Sequence, residues 1–350
     1  MANRGPPRNQ WQTPRESLLA AQRSLDSQKQ VVIRAPTIMD IGQTFGSLLT
    51  MLQEVRRQVV AGNYVTIDLR HTSLISPPAT LLLAAEVERC NRYRPRSVWG
   101  AVPRSEDVQA TLNAFGFYEA IGALDEETEE WKGVARIQPG TGSPADIPRK
   151  LGLVSDLARQ TWHDTAFCDR VHGALNEAMT NVIMHAYDEA LIEKLEQPCI
   201  KGRWWVAGFS PPDSEQAWFM ALDHGVGIPA SAASKSELVD GHGSSGELGH
   251  DERVLMSLID DENRSRTGLP QHGKGIPAMI NLIREFATEG AIWIMSGKGG
   301  FMLEKRSGNS TSPGRIYQVQ FRLPARLPGT LILWKVGSPI IDVRQTREAH

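Results

Sequence analysis

One helix-length stretch, VHGALNEAMTNVIMHAYDE at residues 171–189, constrains this chain more than any other. Read at 3.6 residues per turn, Glu177, Asn181 and His185 fall at i, i+4 and i+8 and share one face. Val171, Leu175, Ala178 and Val182 recur at the spacing of the opposite, buried stripe. A helix with an apolar back and a carboxylate, a carboxamide and an imidazole in register on its front reads as the floor of a site.

A chain of 350 residues has room for two domains, each with its own core. Its 38 basic and 40 acidic side chains nearly cancel, so no global charge points to nucleic acid. Three widely spaced cysteines, Cys90, Cys168 and Cys199, argue for reduced thiols in a cytoplasmic protein and against a disulfide framework or a zinc site. No apolar run approaches the roughly 18 residues of a membrane span. Residues 1–28 have no apolar core behind their basic residues and read as a flexible tail rather than a secretory signal.

The first ordered region is expected over residues 29–124. Strands are predicted at Val31–Ile33, Tyr64–Leu69 and Ser97–Val102, and helices at Ile41–Val60, Ala79–Cys90 and Val108–Phe115. This alternation implies a small α/β domain of open-sheet type. Its order, the phrase VTIDLRHTSLISPPATLLLAAEVERC (65–90) and the closing LNAFGFYEAIG (112–122) resemble the STAS domain of anti-sigma-factor antagonists. That resemblance implies an acceptor serine at the turn before the second helix, where this chain has Ser76-Pro77-Pro78-Ala79-Thr80. Pro at the first helical position suits the turn, Ser76 reads as an N-cap and Thr80 as a helix residue. The expectation is a structural or partner-binding domain without the phosphoswitch.

DEETEEWKG (125–133) is acidic and IQPGTGSPADIP (137–148) is rich in Pro, Gly and Ser, so residues 125–148 read as a solvated linker. The second domain is expected over 149–335, with a polar tail at 336–350. It starts with an amphipathic helix at Lys150–Thr161 and the Glu177 helix, then strands RWWVAG (203–208) and AWFMAL (217–222). The second strand runs into Asp223-His224-Gly225-Val226-Gly227-Ile228-Pro229. A carboxylate at a strand end can accept a hydrogen bond from an exocyclic amine, and glycines two and four residues on let the backbone approach a flat ligand. A polar, glycine-rich stretch at 230–272 reads as a lid, with His242 and His250 as solvated lid residues rather than a metal pair, and Arg264 and Arg266 as a charged patch. Trp204 and Trp205 read as core. The lid ends in Gly273-Lys274-Gly275 at a helix start, an arrangement that presents N–H groups to an anion. Strands at Ala291–Met295, Tyr317–Phe321 and Gly329–Trp334 follow.

In this order the motifs resemble the GHKL superfamily of ATP-binding domains. Glu177, Asn181, His185 and Ala186 match Glu-x-x-x-Asn-x-x-x-His-Ala, and Asp223, Gly225, Gly227 and Ile228 match Asp-x-Gly-x-Gly-Ile. Gly273, Lys274 and Gly275 fit Gly-x-Gly before a helix, and Gly329 and Thr330 fit the late Gly-Thr. The resemblance implies an α/β (α+β) protein: a STAS-like domain followed by a GHKL (Bergerat) sandwich of a mixed sheet covered by helices. It also implies roles. Asn181 would hold Mg²⁺; Asp223, supported by Thr330, would read the adenine amine. Gly225, Gly227 and Ile228 would line the nucleotide, Gly273, Lys274 and Gly275 would face the phosphates, and Glu177 would orient or deprotonate the attacking group. His185 stays open between a phosphate contact and local packing.

The expected function is a cytoplasmic Mg-ATP-binding signalling protein, an ATP-driven switch or ATPase acting with a protein partner through the STAS-like domain, with room for a homodimer. A serine/threonine protein kinase of anti-sigma type and a non-catalytic nucleotide sensor are the alternatives. A histidine kinase is not expected, because His163 lies only 18 residues before Asn181, too close for a separate acceptor hairpin. Gyrase-like and mismatch-repair functions are not expected either, since only a short polar stretch follows Trp334.

Overall fold

The computed structural model describes residues 29–122, 131–193, 195, 200–233, 249–259, 275–308 and 314–340. The expected tail at 1–28, Cys199, His242, Arg264, Arg266, Gly273 and Lys274 lie outside the described residues.

The N-terminal half is α/β. Strands β1 (Gln30–Arg34) and β2 (Ile38–Met39) precede helix α1 (Phe45–Val60). Strands β3 (Tyr64–Asp68) and β4 (Leu74–Ile75) precede α2 (Pro77–Tyr93), and β5 (Val98–Ala101), α3 (Glu106–Ala114) and α4 (Phe117–Ala120) follow. β1, β3 and β5 pair in parallel in that order, as strands joined through crossover helices can, and β2 with β4 forms a separate two-residue parallel pair. α1 turns Leu48, Leu49, Leu52, Val55 and Val59 inward. α2 starts at Pro77, with proline at the first helical position. Every residue from Pro78 to Cys90 on it is buried, so α2 has no solvent face along most of its length.

The C-terminal half contributes β6 (Val134–Gly140), α5 (Asp146–Thr161), α6 (Thr165–Asn181) with a π-helical turn at Val182–Ala186, and the short α7 (Glu189–Ile192). Then come β7 (Trp204–Phe209), β8 (Ala217–Asp223), α8 (Ile228–Ala233) and α9 (His250–Ile259). α10 (Gly275–Asn281) runs into a second π-helical turn at Leu282–Phe286, and β9 (Gly290–Arg306) and β10 (Arg315–Val336) close the chain.

Several expectations change here. The predicted linker contains β6, in which Ala135 and Ile137 are buried in the two cores on opposite faces of the sheet; Pro139 is tolerated because β6 is an edge strand. The five-stranded sheet, in the order β6-β7-β8-β10-β9, is antiparallel at each of its pairings, not mixed. The predicted strands at Tyr317–Phe321 and Gly329–Trp334 are one strand, β10, irregular between Arg322 and Thr330. Part of the lid is helical, since Val254, Leu255 and Ile259 of α9 are buried on one side. The expected C-terminal tail is tied down as far as Ile340, whose N–H donates to the Phe286 carbonyl at 2.9 Å.

Both faces of the five-stranded sheet are covered. Trp204, Val206, Phe219, Ala221, Ile292 and Trp334 pack against α5, α6 and α10. On the other face Trp205, Ala207, Met220, Leu222, Leu331 and Leu333 share one core with α1, α2 and the N-terminal sheet. Period-two alternation thus sends neighbouring residues of one strand into two different cores. Among the described residues no helix is long and apolar enough to cross a membrane.

Candidate functional site

Helix α6 delivers the first group of predicted residues. Asp164 caps it, its carboxylate accepting from the Phe167 N–H at 2.9 Å, and Phe167, Val171, Leu175, Ala178 and Met179 anchor its inner face. Glu177 and Asn181 are half-buried on its other side. The α-helix ends at Asn181, eight residues before the predicted stretch does. The π-helical turn after it adds a residue per turn, so His185 no longer continues the repeat of Glu177 and Asn181. The same turn aims the Ala186 carbonyl at the strand-end turn of β8, where it accepts from the Val226 N–H at 2.8 Å.

That turn is packed tightly. A methyl group on Gly225 would lie 2.1 Å from the Ala186 carbonyl oxygen, so only glycine allows the two motifs to meet. On the far side, Gly329 of β10 has φ +71° and a side chain there would lie 2.0 Å from the Asp223 carbonyl oxygen. These glycines serve first to bring motif against motif, a role additional to the predicted approach of a ligand. Ile228 opens α8 with its N–H donated to Ser296 Oγ at 2.9 Å, and Ser296 donates onward to the Gly329 carbonyl at 2.7 Å.

Asp223 sits at the centre of this arrangement and is 3% exposed. Its Oδ1 accepts from the Gly225 N–H at 2.7 Å. Thr330 is its direct partner across β8 and β10, and Thr330 Oγ1 lies 3.1 Å from Ser296 Oγ. Burial pushes the Asp223 carboxyl up to about 7, against the opposing hydrogen bonds from Gly225 and Thr330. Among the described residues no cation offsets that burial, so near neutral pH the carboxyl stands between its protonated and ionised forms.

The start of α10 completes the group. A methyl on Gly275 would lie 2.3 Å from Glu177 Oε1 and 2.8 Å from Asn181 Nδ2, which puts the α10 N-terminus directly over the polar face of α6. The four sequence-predicted segments are therefore linked pairwise: Gly275 lies on Glu177 and Asn181, Ala186 at the end of the same helical run meets the Gly225–Val226 turn, and Gly329, next to Thr330, meets Asp223. Among the described residues no cluster of three or more His, Cys, Asp or Glu side chains could hold a metal.

Behind the turn lies a set of residues that sequence patterns alone did not single out. His224 is 3% exposed, and its ring stands 4.8 Å from that of Trp205. Trp205 Nε1 donates to Glu88 Oε2 of α2 at 2.8 Å, and Arg203 donates to the other oxygen of Glu88. Two residues earlier on α2, Glu86 accepts from Arg56 Nε and Nη2 at 3.1 and 3.0 Å and also from Arg89. Burial alone would raise the Glu86 carboxyl, but the two guanidiniums overcome it and hold it at about 2. Burial, helped by the Arg89 charge, keeps the His224 imidazole well below its ordinary pKa and so neutral. The signal for this cluster was present: Glu86, Glu88 and Arg89 interrupt the otherwise apolar run LLLAAEVERC, which leaves a helix little room for a polar face. Ser296 had no comparable signal. Compared with protein-family models, curated proteins and solved structures, the chain matches none.

Proposed function

We propose that this chain is an Mg-ATP-binding regulatory protein of GHKL type, an ATP-driven switch or ATPase whose STAS-like N-terminal half engages a protein partner. The observation that carries the reading is the pairwise packing of the predicted segments: the α10 N-terminus on Glu177 and Asn181 of α6, Ala186 at the end of the same helical run on the Gly225–Val226 turn, and Gly329 on the buried Asp223. Asp223 would accept the adenine amine, with Thr330 beside it on the same edge. Asn181, half-buried and carrying a carboxamide oxygen, suits Mg²⁺, a hard ion that keeps several waters and binds phosphate oxygens. Bound Mg²⁺ would supply charge neutralisation at the phosphates. Glu177 neighbours Asn181 on that face and would orient or deprotonate the attacking group. Gly275, together with Gly273 and Lys274, would face the phosphates.

The enclosure of both candidate acceptors in the N-terminal half bears on the kinase alternative. Ser76 Oγ is buried and Thr80, fully buried, donates to the Ser76 carbonyl at 3.1 Å. Phosphate transfer within the chain to either hydroxyl is therefore disfavoured. Incubation with γ-labelled ATP and Mg²⁺, alone and with cell lysate, tests the reading. Free phosphate without labelled protein, abolished in Glu177→Ala while ATP still binds, is the expected result. Label on a separate protein, lost in the same variant, would move the assignment to the kinase; no ATP binding at all would remove the proposal.

A further inference from the structure

Strand β8 ends with two consecutive buried residues that face opposite ways. Asp223 is in register with Trp204, which belongs to the core on the α6 side of the sheet. Leu222 is in register with Trp205, and both belong to the core shared with the N-terminal half. Alternation then turns His224 toward that second core, where its ring meets Trp205. One peptide bond separates a carboxyl on the site side from an imidazole on the N-terminal side, so a rotation of the backbone that moves one must move the other.

His224 is held on its side through its backbone as well as by the packing of its ring. Trp205, against which it rests, is tied through its indole N–H to Glu88 of α2. The charges of Arg89, Glu86 and Arg56 all act on His224. Its backbone N–H donates to Tyr187 Oη at 3.3 Å, and Tyr187 donates in turn to the Arg203 carbonyl. Arg203 closes the loop by its bond to Glu88. The α2 helix cannot easily yield, since its residues from Pro78 to Cys90 are all buried and Glu86 is held by two guanidiniums.

Resting on the nucleotide reading above, we propose that His224 is a positioning residue for the amine-reading carboxyl of Asp223, held by Trp205 and Glu88, so that helix α2 of the N-terminal half supports the adenine pocket from the opposite face of the sheet. The N-terminal half is then part of what makes the site select adenine, beyond being a partner-binding attachment. His224 touches no substrate; it acts only through the angle at which Asp223 is presented.

The test uses two nucleotides that differ where Asp223 reads. Inosine triphosphate carries a carbonyl where ATP carries the exocyclic amine, so the ratio of the two affinities reports the Asp223 contact, and the affinity for inosine triphosphate reports the rest of the pocket. The full chain is titrated with each at equal Mg²⁺, as wild type, His224→Phe and Trp205→Phe. Phe at 224 keeps an aromatic ring on Trp205; Phe at 205 keeps that contact and loses the bond to Glu88. A hydrogen bond to a charged group is worth about tenfold or more in affinity. The expected result is a fall in the ATP preference of about tenfold in His224→Phe and a smaller fall in Trp205→Phe, with inosine triphosphate affinity unchanged. A general structural role would instead lower both affinities together and leave the ratio alone, and that outcome overturns the inference. If His224→Phe does not fold, an unchanged ratio in Trp205→Phe overturns it in the same way. A wild type that binds ATP no better than inosine triphosphate would remove the adenine reading itself, and this inference with it, before any variant is compared.

Discussion

Helices α2 and α6 have the same length, 17 residues, and opposite surroundings. α6 is two-faced: an apolar stripe faces the sheet, and Glu177 and Asn181 stand half-buried on the other side, under the N-terminus of α10. α2 is enclosed on all sides, with the N-terminal core around it and the five-stranded sheet against it. The difference shows in what each does with charge. On α6 the half-buried Glu177 carboxylate has no ion-pair partner among the described residues, which leaves it available for chemistry. On α2 each carboxylate is locked: Glu86 by Arg56 and Arg89, Glu88 by Arg92, Arg203 and Trp205. Charge that faces a site stays adaptable, whereas charge buried between two halves of a protein becomes scaffold.

The sharpest way to break this comparison is to remove one carboxylate from each helix. Glu86→Ala leaves two guanidiniums buried against each other and is expected to cost about 3–5 kcal/mol. Glu177→Ala is expected to change stability by less than about 1 kcal/mol while abolishing turnover. Urea denaturation of the two variants measures both, and similar losses would mean that the fold depends on the α6 carboxylate no less than on the one buried in α2.

A second contrast, of intermediate size, separates the two buried carboxyls by pH. Asp223 is raised from its ordinary 3.8 to about 7. Between those values the native state holds a proton that the unfolded chain has released. The contribution is therefore complete below pH 3.8, is lost as pH rises toward 7, and changes no further above that. Glu86, lowered from 4.5 to about 2, behaves in the opposite sense: its contribution is present above pH 4.5 and is lost as pH falls toward 2. Denaturation midpoints measured from pH 4 to 8 should show a downward component in wild type that is missing in Asp223→Asn. The same variant should bind ATP more weakly, which a direct titration checks.

The smallest expected effect concerns the helix starts. Asp164 caps α6 through the Phe167 N–H, so Asp164→Ala should cost about 1 kcal/mol. Ser76 occupies the corresponding position on α2 without a side-chain cap bond, and its buried hydroxyl has no partner among the described residues. Ser76→Ala should therefore leave the thermal midpoint unchanged or raise it slightly. A loss as large as that at Asp164 would show that Ser76 does contribute to the start of α2.

What was legible in the sequence was local. The spacing of Val171, Leu175 and Ala178 marks the inner face of α6, Pro77 marks the start of α2, and the Asp223–Gly227 run marks a strand end with a tight turn. Each depends on a repeat or a backbone preference that a few neighbouring residues express by themselves. The strand hidden in the expected linker was missed because its buried residues are only Ala135, Ile137 and Gly140, too few and too small to stand out among turn-forming neighbours. The π-helical turn that carries His185 out of register has no signature in composition, since it arises where the Ala186 carbonyl must reach the Val226 N–H. Only the tertiary structure decided which charges are scaffold and which are free. Glu86 and Glu177 are the same side chain on helices of equal length, and sequence spacing describes a helix's own faces but not how many of them another part of the chain will cover.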